Sequence, residues 1–117
     1  MPITDEDRQE GGKVLVTGAS GLVGNNVARL LLERSSNVRV LARKQSNFRP
    51  FEGLDVDIAF GDITDPQSLS AAMLGVTRVV HAAGCVLLGW QNKRLHDQVN
   101  RQGALNVARA AREAGAR

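Results

Sequence analysis

Three glycines spaced three residues apart follow the first apolar run of the chain, and they constrain its fold more than any other feature. The run KVLVT occupies residues 13–17, and the glycines are Gly18, Gly21 and Gly24. A short β-branched run predicts a buried strand, and helical spacing of apolar residues predicts a helix over about 22–33. A glycine turn between strand and helix is typical of the first unit of a parallel α/β sheet. The side chains predicted on the buried face of the helix are Val23, Val27, Leu30 and Leu31.

The rest of the chain alternates apolar β-rich runs with helical patterns. Asp65 and Pro66 are the residue types of a helix N-cap and first helical position, and Gly75 is a typical helix terminator. With right-handed crossovers, the order β-α-β-β-α-β-α predicts a Rossmann-like three-layer α/β fold whose parallel sheet has strand order 3-2-1-4. The further predicted strands are 38–42, 56–60 and 78–82, and the further predicted helices are 66–74 and 94–114.

Composition narrows the class of protein. Hydrophobic residues are 43% and charged residues 23% of the chain, as in soluble globular proteins. The one cysteine, Cys85, excludes an internal disulfide and is consistent with a reducing cytoplasm. No apolar run reaches the roughly 18 residues that span a bilayer, and the start of the chain lacks a signal-peptide core. We therefore expect a cytoplasmic protein with a disordered acidic leader at 1–12, one domain at 13–117 and no metal site.

The charge of the chain indicates the kind of ligand. The net charge is +3 at pH 7, and because acidic residues crowd the leader, the remainder is basic and attracts anions. Phosphates fit the glycine turn, since the first glycine permits a tight turn and the second permits close approach of a pyrophosphate. The third permits helix packing, and the helix N-terminus offers N–H donors. The sequence thus predicts a dinucleotide site; a purely structural glycine turn is the alternative.

The end of the second strand distinguishes between the two nicotinamide dinucleotides. An acidic residue there would accept hydrogen bonds from the adenosine ribose and repel a 2′-phosphate. This sequence instead has Arg43 and Lys44, and a guanidinium and an ammonium suit a 2′-phosphate. We therefore predict NADP as the cofactor, with NAD possible, and a solvated basic loop as the alternative interpretation of these two residues.

Four motifs in order resemble the extended short-chain dehydrogenase/reductase family, the NAD-dependent epimerase/dehydratase group. They are TGASGLVG at 17–24, GDITD at 61–65, HAAG at 81–84, and a last helix with Asn100, Gly103 and Asn106. The resemblance extends over about 13–115, and the second motif is similar to that of dihydroflavonol-reductase-like enzymes and sugar epimerases. It implies the NAD(P)-binding, N-terminal part of a reductase or sugar epimerase/dehydratase.

The resemblance also implies which residues contact the cofactor. The Asp62 carboxylate would accept a hydrogen bond from the exocyclic amine of adenine, unless Asp62 is only a turn residue. Small residues after the fourth strand would leave room for the ribose and nicotinamide, and Asn100 would face them unless it is a polar group on the helix surface. The implied cofactor-binding residues are Gly18, Ser20, Gly21, Leu22, Val23, Gly24, Arg43, Lys44, Asp62, Ile63, Ala82, Ala83, Gly84 and Asn100.

Catalysis in this family resembles acid/base chemistry by a Ser and a Tyr-x-x-x-Lys motif. The chain contains no tyrosine, so we expect it to be a truncated chain that is inactive alone and that carries no catalytic residue. His81 is interpreted as structural. Two alternatives stay open, a non-catalytic dinucleotide sensor or interaction protein and a basic nucleic-acid-binding domain. The chain lacks the pattern of aromatic residues interleaved with basic residues that is typical of single-stranded nucleic-acid binding.

Self-association is also expected. A strand at 78–82 would lie at the edge of the sheet, where unpaired backbone groups can pair with another chain. The helix at 94–114 resembles the family's dimer-forming helix, which implies that it presents a face to a second copy of the chain. The residues that resemble that face are Leu95, Val99, Val107 and Ala111.

Overall fold

Four β-strands alternate with three α-helices in the part of the chain that the structure describes. The structure is a computed structural model, and it describes residues 12–19, 21–34, 37–43, 49–82 and 93–116. The predicted leader therefore lies outside the described residues, except for Gly12. The elements are β1 (Lys13–Thr17), α1 (Leu22–Glu33), β2 (Asn37–Ala42), a 3-10 turn (Arg49–Phe51), β3 (Asp57–Phe60), α2 (Pro66–Ala72), β4 (Val76–His81) and α3 (Lys93–Glu113).

The four strands form one parallel sheet in the order β3-β2-β1-β4. Strand β1 is central, so that Val16 pairs with Val40 of β2 on one side and with Val80 of β4 on the other. Parallel neighbours need crossover connections; α1 lies in the crossover from β1 to β2, α2 lies in the crossover from β3 to β4, and the 3-10 turn lies between β2 and β3. The predicted Rossmann-like fold and the strand order 3-2-1-4 are confirmed.

Alternation along β1 divides the core between the two faces of the sheet. Val14 and Val16 are buried on the face that α1 covers, together with Ala28 and Leu31 of that helix. Leu15 points to the other face, where it packs with residues of α2 and α3. A strand that is apolar on both faces requires cover on both faces, and this requirement produces the three layers.

The element boundaries lie within two residues of the predicted ones. The Asp65 carboxylate accepts a hydrogen bond from the Gln67 backbone N–H at 3.2 Å, and Pro66 is the first residue of α2, as predicted. Gly75 has φ 75°, a left-handed conformation that favours glycine after a helix. Strand β4 begins at Val76, two residues before its predicted start.

The predicted buried face of α1 is wrong in part. Val23 and Leu30 are 67% and 49% exposed, whereas the buried residues are Gly24, Ala28 and Leu31. Small side chains at positions 24 and 28 let the helix approach the sheet closely, and this close approach fixes its rotation about its own axis. Residue size decides the buried face here, and hydrophobicity alone does not.

The predicted partner face of α3 is also wrong where the structure describes it. Val107 and Ala111 are 3% and 8% exposed and belong to the core cluster on their own sheet. The reason is that α3 covers the face of the sheet that α1 leaves open. Leu105 points outward and is 46% exposed. The side chains of Leu95 and Val99 lie outside the described part of the chain.

A charged network holds the amino-terminal edge of the sheet together. Arg39 Nε and Lys13 Nζ both donate to Asp57 Oδ2, at 2.8 and 3.1 Å. Arg39 Nη1 donates to the carbonyl oxygens of Ala72 and Leu74, at 2.7 Å each. The hydrogen bonds from Arg39 and then Lys13 lower the pKa of Asp57 from its ordinary 3.8. One guanidinium therefore joins β2, β3 and the end of α2.

Candidate functional site

The carboxyl ends of the four parallel strands meet at one edge of the sheet, which is the usual place for ligands in open α/β sheets. The residues that follow β1, β2 and β4 at this edge are Gly18, Arg43 and Ala82. A cleft of about 650 Å³ lies at the opposite edge, where its lining includes Lys13 and Asp57. Because these two are already paired with each other, we assign the candidate site to the carboxyl edge.

The glycine turn has the geometry that its spacing predicts. Gly18 has φ 72°, a conformation that L side chains rarely adopt. The Gly21 N–H donates to the Gly18 carbonyl at 3.0 Å and closes the turn. A Cβ at position 24 would lie 2.2 Å from the Gly18 oxygen, so only glycine lets α1 begin this close to the turn. Ser20 lies outside the described residues.

The N-terminus of α1 faces this edge without a side-chain cap. Its N-cap residue is Gly21, which has no side chain to cap the helix, and the first turn contains no acidic residue. The first N–H groups of any α-helix lack intrahelical acceptors and carry the positive end of the helix dipole. Leu22 and Val23, in this first turn, are 81% and 67% exposed. Such a helix start has the charge and the N–H donors that suit an anion.

Arg43 follows β2 at this edge and is exposed. It lies at the end of the strand next to the one that carries the glycine turn. Lys44, the other predicted phosphate ligand, lies outside the described residues. The structure thus places one cation of the predicted pair at the candidate site.

The loop after β3 holds Asp62 in a defined orientation. Its Oδ1 accepts hydrogen bonds from the backbone N–H and hydroxyl of Thr64, at 2.9 and 2.8 Å. Its backbone N–H donates to Ser68 Oγ at 3.0 Å. Asp62 therefore has the turn role that the sequence left as an alternative. The same bonds fix the carboxylate, whose second oxygen has no partner among the described residues.

Ile63 packs into the core. The residue is 8% exposed, and its carbonyl accepts a hydrogen bond from Asn106 Nδ2 at 2.9 Å. A Cβ at position 103 would lie 2.4 Å from Ile63 Cδ1, so the helix approaches Ile63 closely. Sequence reasoning placed Gly103 and Asn106 in a motif but gave them no role. The spacing of these residues on the helix gave no signal of this contact, because Ile63 lies 43 positions before Asn106 in the chain.

The end of β4 is tied to the end of β1. Thr17 is fully buried, and its hydroxyl is hydrogen-bonded to His81 Nδ1 at 2.7 Å. The Ala82 N–H donates to the Thr17 carbonyl at 3.1 Å. Desolvation of the partly buried ring lowers the pKa of His81 from its ordinary 6.5. Asn100 of α3 is half-buried.

No helix among the described residues is long and apolar enough to cross a membrane. The described residues also contain no group of three or more His, Cys, Asp or Glu side chains that could hold a metal ion. Like Ser20 and Lys44, the predicted site residues Ala83 and Gly84 lie outside the described part of the chain.

Several known proteins are similar to this chain in sequence and in fold. Sterol demethylase protein B of Methylococcus capsulatus is 39% identical over 88% of this chain and 31% of its own length. Ceramide reductase of Caulobacter vibrioides is 34% identical over 91% of this chain and 33% of its own length. A crystal structure of Thermus thermophilus UDP-glucose 4-epimerase in complex with NAD has a TM-score of 0.77 and 29% identity, covering 88% of this chain and 34% of the epimerase.

The chain spans about a third of the length of these relatives. The sequence model of the NAD dependent epimerase/dehydratase family matches residues 14–117. Described residues of three of the motifs that resembled this family, Gly18, Asp62 and Ala82, follow the carboxyl ends of β1, β3 and β4. The chain belongs to the NAD-dependent epimerase/dehydratase family.

Proposed function

We propose that the chain binds a nicotinamide dinucleotide across the carboxyl edge of the sheet. The observation that carries this proposal is the glycine turn, where α1 packs so closely that a Cβ at position 24 would lie 2.2 Å from the Gly18 oxygen. The N-cap residue Gly21 provides no side-chain hydrogen bond to the helix start. Such a helix start binds a pyrophosphate through backbone N–H groups. The NAD complex of the related UDP-glucose 4-epimerase supports the class of ligand.

The remaining predicted residues define the rest of the proposed site. Asp62 accepts a hydrogen bond from the exocyclic amine of adenine through its second carboxylate oxygen, while Thr64 holds the first. Ala82 and Asn100 border the ribose and nicotinamide end. Since the Ile63 side chain is buried, Ile63 can face the adenine only through its small exposed part.

We propose NADP as the preferred cofactor. Arg43 is exposed at the end of β2, where a guanidinium can bind a 2′-phosphate through charge-assisted hydrogen bonds. Such a contact is worth about 1–3 kcal/mol, which corresponds to a preference of about 5- to 150-fold over NAD.

Calorimetric titration of both dinucleotides tests this preference. We expect Arg43→Ala to weaken NADP binding and to leave NAD binding unchanged. Arg29→Ala is the matched control, because it removes the same charge from the cleft at the opposite edge. Equal affinities for NADP and NAD in the parent chain would contradict the 2′-phosphate assignment.

The full activity that we propose is that of a reductase or sugar epimerase/dehydratase, with this chain as its cofactor-binding part. The relatives named above include a ceramide reductase and a UDP-glucose 4-epimerase. Because the chain has no tyrosine, we expect it to bind the dinucleotide without hydride transfer. That same property suits a non-catalytic dinucleotide sensor. The test incubates the 117-residue chain with dinucleotide and UDP-glucose and measures the absorbance of the reduced cofactor. Detectable hydride transfer would contradict the expectation that the chain is inactive alone.

We also propose self-association through the outer side of β4 or the outward face of α3. Leu105 supports the helix route, since it is a large apolar side chain that is 46% exposed. Sedimentation at micromolar concentration should detect a dimer or larger species. A single 12.6 kDa monomer would contradict self-association, and an unchanged assembly in Leu105→Glu would restrict it to β4.

A further inference from the structure

Helix α3 holds the loop after β3 at two points one helical turn apart. At the first, Asn106 Nδ2 donates to the Ile63 carbonyl at 2.9 Å, and Gln102 Nε2 orients the amide by donating to Asn106 Oδ1 at 3.0 Å. Asn106 is 5% exposed, so this hydrogen bond is shielded from water. Its loss would leave a carbonyl without a donor in the protein interior.

At the second point, the Ile63 side chain rests on the backbone of α3. A Cβ at Gly103 would lie 2.4 Å from Ile63 Cδ1 and 2.9 Å from Cγ1. Even one methyl group would therefore push Ile63 away from the helix. The two contacts fix the backbone and the side chain of the same residue.

Asp62 is covalently joined to this fixed residue and is itself restrained. The hydrogen bonds from Thr64 hold Oδ1, and Ser68 Oγ accepts from the Asp62 N–H at 3.0 Å. The carboxylate can therefore move only together with the backbone of the loop. The position of that backbone is set by Ile63 and, through it, by α3.

We propose that Gly103 and Asn106 are positioning residues for recognition of the adenine base. They contact no ligand and act through Ile63, placing the Asp62 carboxylate where it accepts from the exocyclic amine of adenine. This inference rests on the dinucleotide site proposed above. It adds that the selectivity for the base depends on a helix 40 residues further along the chain, since Gly103 packs on Ile63.

The test compares NADP with its hypoxanthine analogue, in which a carbonyl oxygen replaces the exocyclic amine. In the parent chain, the carboxylate accepts from the amine but repels the carbonyl oxygen, so we expect NADP to bind about tenfold or more tightly. In Asn106→Leu and Gly103→Ala, we expect this ratio of dissociation constants to fall towards one. Ala104→Ser, at an exposed position of the same helix, should keep the parent ratio.

The ratio separates positioning from simple destabilisation. Partial unfolding lowers the apparent affinity for both ligands by the same factor, so it leaves the ratio unchanged. A parent ratio of one would contradict the role of Asp62 in the proposed function and this inference with it. A parent ratio above one that both variants retain would overturn the positioning role alone. Should Asn106→Leu fail to fold, Gly103→Ala and the exposed Gln102→Leu give the same readout.

Discussion

Replacement of Gly24 by alanine is expected to destabilise the protein, which is the reverse of its usual effect in a helix. Within a helix, alanine is favoured over glycine by about 1 kcal/mol. In this structure, however, the new Cβ would lie 2.2 Å from the Gly18 oxygen, 2.6 Å from the Gly18 carbonyl carbon and 3.0 Å from Ala19 Cα. All three atoms belong to the backbone, so no side-chain rotation can relieve the clash.

The size of the effect follows from how far the new Cβ must move away from the Gly18 oxygen. A carbon and a carbonyl oxygen normally approach to about 3.3 Å, so α1 must move by roughly 1 Å relative to the turn. Overpacking of this kind costs about 1–3 kcal/mol, occasionally more. After subtraction of the helix preference, we expect a net loss of up to about 2 kcal/mol in the free energy of unfolding. For a domain of this size, each kcal/mol lowers the melting temperature by about 4–8 °C.

Urea denaturation of Gly24→Ala, with calorimetric titration of NADP, measures both consequences. Binding should weaken because the displaced helix start no longer presents its N–H groups to the pyrophosphate. Gly21→Ala is the matched comparison, because among the described residues its Cβ would meet the Gly18 oxygen alone, at 3.4 Å, which is ordinary contact. We expect that variant to keep its stability and to lose binding. A Gly24→Ala variant as stable as the parent, or more stable, would refute the reasoning.

Two further predictions concern stability. Arg39→Ala should lower the free energy of unfolding by about 2–3 kcal/mol, because it removes the donor from the Ala72 and Leu74 carbonyls and from Asp57. Urea denaturation measures this loss. The affinity for NADP should stay unchanged, because Arg39 lies at the edge of the sheet opposite the candidate site. The lowered pKa of His81 means that the unfolded chain binds the proton more readily than the folded one. Stability should therefore fall as the pH drops from about 6.5 through the folded pKa. A pH series of urea midpoints should show a weaker decline in His81→Gln, and identical profiles for the two proteins would exclude this role.

Local sequence patterns predicted the fold well, because each pattern reflects a physical requirement of the strand or helix that it belongs to. The run at 13–17 is apolar on both faces, so it needs a central parallel position. Asp65 and Pro66 satisfy the backbone at a helix start, and the structure has them in those roles. The buried faces of α1 and α3 were predicted less well, because Gly24 and Ala28 gain their importance only from the backbone they approach.

Some features of the candidate site could likewise be predicted from the sequence, and others could not. The turn at Gly18 could be predicted, since its spacing encodes a backbone conformation that glycine permits. The contacts of Asn106 with Ile63 and of Thr17 with His81 could not, because each joins residues far apart in the chain. Spacing along the sequence contains no information on such pairs until the strand order is known.

The hydrogen bond from Asn106 to Ile63 joins residues 43 positions apart and therefore couples two distant segments of the chain. The loop after β3 can adopt its final position only when the last described helix has docked on the sheet, and closing the chain between the two costs entropy. During synthesis, the adenine end of the proposed site would stay incomplete until Asn106 has left the ribosome. A dinucleotide that binds only the docked form would stabilise that form by mass action. In the proposed complex, ligand and helix stabilise each other, so we expect protection of the α3 amides from hydrogen exchange to increase with cofactor occupancy.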